Sequence, residues 1–278
     1  MFKTALLPQK LNVQPQKIET MLNFLKSFGT KKIFILNVTS TESKKNYIKE
    51  KMIQKLEQLE IPNFKFEFIV KEGEVGKTIC DFAKQNNIDF IYTPWNHKFP
   101  FYEFILGSDT SDIVRLSEVP VFIYKKKAVK LTNENLYCLL YATDFKATDS
   151  YILPYLNSFS ILFQKLIILN VGKRAADPFS EKKRLEIIQN NLDRLKAEFV
   201  PPFKQCETIA SIGRPSRKIL QQAKKSDVDL IVAGKFDESP IQQALGSTAV
   251  NLADKTKHSL LIIPSELKPT KSIMERIH

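Results

Sequence analysis

Glycine is scarce, with eight in 278 residues, so each one present asks for a positional reason. Cysteine is scarcer. Cys80, Cys138 and Cys206 are scattered, form no CxxC and have no metal-ligand spacing. That excludes a disulfide framework and reads as reduced thiols in a cytoplasmic protein. His97, His258 and His278 are the only histidines, too few and too scattered for a histidine-based metal site. No apolar run approaches the roughly 20 residues of a membrane span. The opening MFKTALLPQK lacks the features of a signal peptide and reads as a strand. No Ser/His/Asp constellation, spaced carboxylate pair or zinc motif occurs, so the sequence offers no residues for an enzyme. The one charge excess is basic, a net +12. Its lysines are spread over helix surfaces, and the dense cluster Lys125-Lys126-Lys127 lies in a linker. With no helix-turn-helix spacing or aromatic RNA-binding motif beside them, neither nucleic acid nor membrane is expected as a partner.

What is present is a repeat. KKIFILNV, Lys31 to Val38, matches QKLIILNV, Gln164 to Val171. GEVGKTICDFAKQNNIDFIY, from Gly73, matches GRPSRKILQQAKKSDVDLIV, from Gly213. Each half then reaches a Gly-Ser pair, Gly107-Ser108 or Gly246-Ser247, followed by a helix and an apolar strand. Offsets of 133 to 140 residues are too long for a solenoid and fit a duplicated domain.

Both halves alternate strand and helix. In the first, strands are expected at Thr4–Leu7, Ile33–Val38, Phe64–Val70, Phe90–Thr93 and Val121–Tyr124. Helices are expected at Gln14–Phe28 (stopped by Gly29), Ser43–Leu59, Glu74–Asn86 and Ser108–Leu116. In the second, strands are expected at Leu136–Ala142, Leu166–Val171, Phe203–Ala210, Leu230–Ala233 and Leu260–Ile263. Pro154 implies a late start or a kink in the first helix of that half. Asp177-Pro178 caps the best helix of the chain, with Leu185, Ile188, Leu192, Leu195 and Phe199 on one face. Pro215–Lys225 and a stretch from Ser247 to about Lys257 are the remaining helices. Continuous apolar strands between amphipathic helices imply parallel sheets covered on both faces, hence two doubly wound α/β units. In such units ligands bind beyond the carboxyl ends of the strands, where the strand order reverses.

One stretch carries more specific information. Leu230–Ala233 ends at Gly234, a polar loop leads to Gly246-Ser247-Thr248, and Ser247 reads as an N-cap. Backbone N–H groups and a helix dipole facing one crevice make an anion site. The stretch resembles the carboxyl-terminal signature of the universal stress protein family: Gly, two residues, Gly, nine residues, then Gly-Ser or Gly-Thr. Gly234, Gly246 and Ser247 match; Asp237 replaces the second Gly, and the loop from it to Gly246 is one residue short.

The resemblance covers nearly the whole chain twice. It implies five-stranded units of strand order 3-2-1-4-5, adenine nucleotide alpha hydrolase-like, in tandem. The expected limits are 1–126 and 136–266, with a linker at 127–135 and a tail at 267–278. It also implies an intrachain pseudo-dimer through the last strands, the whole being a monomer or a homodimer. The family's nucleotide site adds a first-strand pattern of Pro, a small residue, then Asp. The second half has Ala142, Thr143 and Asp144, with Val171 as an apolar neighbour for the base. By resemblance Asp144 faces the adenosine or a metal-linked phosphate; a helix-capping Asp is the alternative. The implied ligand is ATP, with Mg2+, or AMP, with at most weak hydrolysis.

The first half departs further. Pro8 is kept, but Lys10 stands where the Asp belongs, beside Val38. Pro94 and His97 replace the two loop glycines ahead of Gly107 and Ser108. Pro removes a backbone donor and His adds bulk where the chain would approach a phosphate, so this pocket is degenerate. His97 beside Trp95 has no carboxylate or nucleophile near it in sequence to make a catalytic pair. In the second half Asp237 opposes a phosphate: a like charge at ~4 Å costs roughly 1 to 4 kcal/mol, against about 8 kcal/mol for micromolar binding. The alternative left open is a nucleotide-free interaction scaffold with both pockets decayed; a nucleotide hydrolase ranks behind both. Finally, KEGEVGKTI, from Lys71, holds a Gly-Lys-Thr but no P-loop glycine at its start, so Gly73 and Gly76 read as a tight turn.

Overall fold

The computed structural model describes residues 2–58, 65–94, 109–125, 138–145, 148–160, 162–198, 203–235 and 248–264. The chain divides after Phe122 into two compact units; the expected linker at 127–135 and tail at 267–278 lie outside the described residues.

The first half contains β1 (Thr4–Pro8), α1 (Pro15–Ser27), β2 (Lys32–Thr39), α2 (Lys45–Leu56), β3 (Lys65–Glu72), α3 (Val75–Gln85), β4 (Phe90–Pro94), α4 (Asp109–Leu116) and β5 (Val121–Tyr124). The second contains β6 (Cys138–Thr143), α5 (Thr148–Phe159), β7 (Lys165–Gly172), α6 (Pro178–Glu198), β8 (Gln205–Ile212), α7 (Pro215–Lys225), β9 (Leu230–Lys235), α8 (Thr248–Lys255) and β10 (Ser259–Pro264). The strand order is β3-β2-β1-β4-β5 in the first half and β8-β7-β6-β9-β10 in the second. β1 lies parallel to β2 and β4, and β6 to β7 and β9. Each half is therefore a doubly wound α/β unit of order 3-2-1-4-5.

The apolar runs become buried strands. Every residue of β6 and β10 is buried, which only a sheet covered on both faces allows. β3 and β8, each at one end of its half's order, stay part-exposed. In the first half the core is strongly aromatic: Tyr92 and Phe122 stack at 5.3 Å, and Phe24 lies 5.3 and 5.2 Å from the same two rings. α1 ends where Gly29 turns at φ +77°, a left-handed backbone that glycine adopts without strain. α6 starts on Asp177, whose Oδ1 accepts the N–H of Ser180 at 2.9 Å. It buries Ile188, Leu192 and Leu195 while Leu185 is only half-buried; Phe199 lies outside the described residues.

Three local expectations change. The helix expected from Ser43 opens as a 3-10 turn, Glu42–Lys44, before α2. α5 begins at Thr148, ahead of Pro154 rather than after it. Burial of Ile152, Tyr155, Leu156 and Phe159 outweighs the hydrogen bond that Pro154 cannot make. Gly76 lies in the first turn of α3, not in the loop. A Cβ there would stand 2.6 Å from Cβ of Asp112 on α4, so the glycine serves close helix packing. Gly73 does form the turn, at φ +145°, with its N–H on Thr39 O at 3.1 Å.

Candidate nucleotide site

In the second half the chain leaves β6 for β7 on one side and reaches β9 on the other, so the strand order reverses between β6 and β9. Register sets the carboxyl ends level: Thr143 lies beside Asn170, and Ala142 beside both Leu169 and Ala233. Gly234 follows at the end of β9, opposite Ile263. Thr248 opens α8. Of the expected residues, the structure thus gathers Ala142, Thr143 and Asp144 on β6 and its exit, Val171 on β7, and Gly234 on β9. Ala142, Thr143 and Gly234 are buried, and Asp144, Val171 and Thr248 half-buried. Asp237, Gly246 and Ser247 lie outside the described residues.

The turn after β6 is held by a polar network. Asn170 donates Nδ2 to Thr143 O at 2.9 Å. Thr143 Oγ1 accepts the N–H of Phe145 at 2.9 Å and donates to Asp149 Oδ2 at 2.7 Å. Tyr141 donates its hydroxyl to Asp149 Oδ1. Phe145 takes φ +60°, a conformation that a bulky side chain adopts only when its surroundings impose it. Asp144 is carried between Thr143 and Phe145 at the exit of β6. Burial pushes the Asp149 carboxyl above its ordinary range, opposed by the hydrogen bonds from Tyr141 and Thr143. Burial, and then the Asp149 charge, push the Tyr141 hydroxyl up, so it remains a donor.

The first half repeats one part of this. Asn37 donates Nδ2 to Gln9 O at 2.7 Å, and Gln9 N–H reaches Leu36 O at 2.8 Å. The rest differs. Leu7, Gln9 and Pro15 stand where the second half has Tyr141, Thr143 and Asp149, and α1 has no acidic residue in its first turn. Lys55 pins the loop instead, donating Nζ to Leu11 O at 2.6 Å and Val13 O at 3.0 Å. Pro8 and Val38 are half-buried and Lys10 is exposed. Pro94 ends β4, its carbonyl accepting from Thr110 Oγ1 at 3.4 Å. His97, Gly107 and Ser108 lie outside the described residues.

Sequence reasoning passed over Asn37, Asn170, Tyr141 and Asp149. A signal for the asparagines was present: a polar residue kept inside both copies of an otherwise apolar strand, ILNV. Among the described residues no group of three or more His, Cys, Asp and Glu is placed to hold a metal ion. Nor, among them, is any helix long and apolar enough to cross a membrane.

A sequence model of the Universal stress protein family matches residues 28–125 and 165–264. A universal stress protein from Archaeoglobus fulgidus DSM 4304 is similar over 94% of this chain and 96% of that one, with TM-score 0.71 and 21% identity. A putative universal stress protein from Pseudomonas aeruginosa UCBPP-PA14 matches over 95% and 93%, with TM-score 0.65 and 14% identity. At these identities the two likenesses are of fold. A search of the curated proteins finds no match.

Proposed function

This chain belongs to the universal stress protein family, with two copies of its domain in tandem, and we propose that the second half binds one adenine nucleotide, ATP or AMP. The role that follows is a stress-linked binding or regulatory module; no catalytic step is assigned to it. The observation that carries this reading is the difference between two equivalent turns. After β6 the part-buried Asn170–Thr143–Asp149–Tyr141 network holds a turn that bears Asp144 at the strand-order reversal. After β1 the same position bears Lys10, and the loop is tied down by Lys55.

In this reading Asp144 and Val171 face the adenosine, and Gly234, Gly246, Ser247 and Thr248 cradle the phosphates at the α8 N-terminus. Backbone donors reach a phosphate only where no side chain intervenes. With ATP, Mg2+ arrives on the phosphates. Asp237 is the feature that favours the second reading, a nucleotide-free scaffold. Burial pushes the Cys138 thiol up to about 11, which makes it a structural, unreactive thiol; a cytoplasmic location is proposed from the scattered, unpaired spacing of the three cysteines. We propose the domain limits 1–126 and 136–266. Light scattering at several concentrations decides between monomer and homodimer.

The test is to denature the purified protein and identify the small molecules released by mass spectrometry. An adenine nucleotide near one per chain is expected; nucleotide-free protein that also fails to take up ATP or AMP on titration supports the scaffold.

A further inference from the structure

Lys125 heads the triple-lysine run that the sequence places in a linker, yet it is buried, with 8% of its surface exposed. It follows β5 directly and belongs to the second compact unit, which opens at Ile123. Its backbone N–H donates to Ser259 Oγ, at 3.4 Å, on the first residue of β10. Its Nζ donates to Ala253 O, at 2.6 Å, in the last turn of α8. The last carbonyls of a helix have no partner within it. In α8, Thr256 N–H takes Leu252 O at 2.9 Å, and Lys125 takes the next carbonyl. A cation at this end also complements the helix dipole.

This bond does what the packing of α8 cannot. The helix has eight residues, too few to be stable without outside contacts. Ala249, Leu252 and Ala253 are buried, but apolar burial is non-directional, whereas a hydrogen bond along the axis fixes where the helix stands. The bond is also confined to one half. With Gly107-Ser108 set on Gly246-Ser247, the repeat puts Pro264 where Lys125 stands and Pro120 where Ser259 stands. The same alignment matches two equal turns: Ser117 Oγ accepts Val119 N–H at 3.1 Å, and Thr256 Oγ1 accepts His258 N–H at 3.0 Å. Pro264 has neither N–H nor ammonium to give, and Pro120 has no hydroxyl to receive one.

We propose that Lys125 is a positioning residue for the nucleotide site: it anchors α8 from its carboxyl end and so sets where the amino end, at Thr248, meets the phosphates. This rests on the reading of the second half as the nucleotide pocket. In that reading Asp144 and Val171, which face the adenosine, sit at the ends of β6 and β7 and not on α8. Lys125 therefore governs the phosphate part of the affinity and leaves the nucleoside part alone.

The test is calorimetric titration of ATP and of adenosine against the full chain and its variants. Lys125→Met keeps the apolar stem and removes the ammonium. It is expected to weaken ATP at least about tenfold, the scale of one hydrogen bond from a charged group, and adenosine less than about twofold. Lys125→Arg, which can still donate to the last carbonyls, recovers most of the ATP affinity. Lys255→Met removes an exposed cation from the same helix end and leaves ATP binding near wild type. Ser259→Ala removes only the acceptor of the Lys125 N–H; it acts like Lys125→Met with a smaller effect, and decides the matter should Lys125→Met not fold. Amide hydrogen exchange of nucleotide-free protein reads the anchor by itself: α8 exchanges faster in Lys125→Met, and α7 does not. The proposal is overturned by equal weakening of ATP and adenosine, by wild-type ATP binding in Lys125→Met, or by unchanged exchange in α8. Wild-type protein that binds neither ATP nor AMP is a different result: it overturns the nucleotide reading, and this proposal with it.

Discussion

Asn170 on β7 reaches across to Thr143 on β6, its buried side-chain amide donating to the backbone carbonyl at 2.9 Å. Asn37 makes the equivalent bond to Gln9 at 2.7 Å. Each pair closes the end of a first strand, but only the second closes a turn that bears an aspartate. Replacing either asparagine by alanine leaves a buried carbonyl without its partner, at a cost of about 1 to 3 kcal/mol. Urea denaturation should show a loss of that order for both variants. Nucleotide titration should separate them: Asn170→Ala weakens binding and Asn37→Ala does not. Equal weakening in both would contradict the assignment of the pocket to the second half.

Asp149 gives the second half a pH signature. Burial raises its carboxyl above the ordinary 3.8, so the folded protein keeps that proton to a higher pH than the unfolded chain does. Its contribution to stability is full below the unfolded value and is lost as pH rises through the raised folded value. Asp149→Asn cannot titrate. The stability of the variant relative to wild type should therefore rise from about pH 4 towards neutrality, read as the difference in urea midpoint. A difference independent of pH would show that the carboxyl is not held in this way.

The repeat made the architecture readable. Two runs of ILNV and two Gly-plus-helix segments mark a duplicated parallel α/β unit, because buried parallel strands have to be apolar throughout, as β6 and β10 are; the strand order is what the family resemblance implies. What the linear pattern could not carry was tertiary. Gly76 looks like turn punctuation until α4 arrives against it. Pro154 looks like a helix stop until the face it interrupts is buried. Asp149 resembles any polar residue of a first turn until Tyr141 and Thr143 converge on it.

Two glycines with positive φ should respond differently to alanine. At Gly73, φ is +145° and a Cβ would stand 2.4 Å from Thr78 Oγ1. At Gly29, φ is +77° and nothing lies within 4 Å. Gly73→Ala therefore adds a collision to the strain and should cost more than Gly29→Ala. Strain alone is on the order of 1 to 3 kcal/mol. Thermal unfolding of the two variants tests the order, and a reversed order would refute it.

Ile188 sits in the middle of the buried stripe of α6, its Cδ1 at 2.6 Å from where a Cβ on Gly172 would be. Ile188→Asp places an unpaired charge there, which belongs among the few substitutions costing more than about 4 kcal/mol. The second half should unfold, visible as lost near-UV ellipticity and a lower melting temperature. A wild-type melting curve would show that α6 is not packed on the sheet through this residue.

The central claim is that one nucleotide binds, and that it binds in the second half. Equilibrium titration of ATP and AMP against wild type, Gly246→Val and Asp237→Gly tests it most directly. The account predicts at most one site per chain. It predicts no binding in Gly246→Val, because a side chain would block the approach of the phosphates. It predicts tighter binding in Asp237→Gly, by no more than the roughly 1 to 4 kcal/mol of like-charge repulsion removed. Two equivalent sites per chain, or weaker binding in Asp237→Gly, would contradict it.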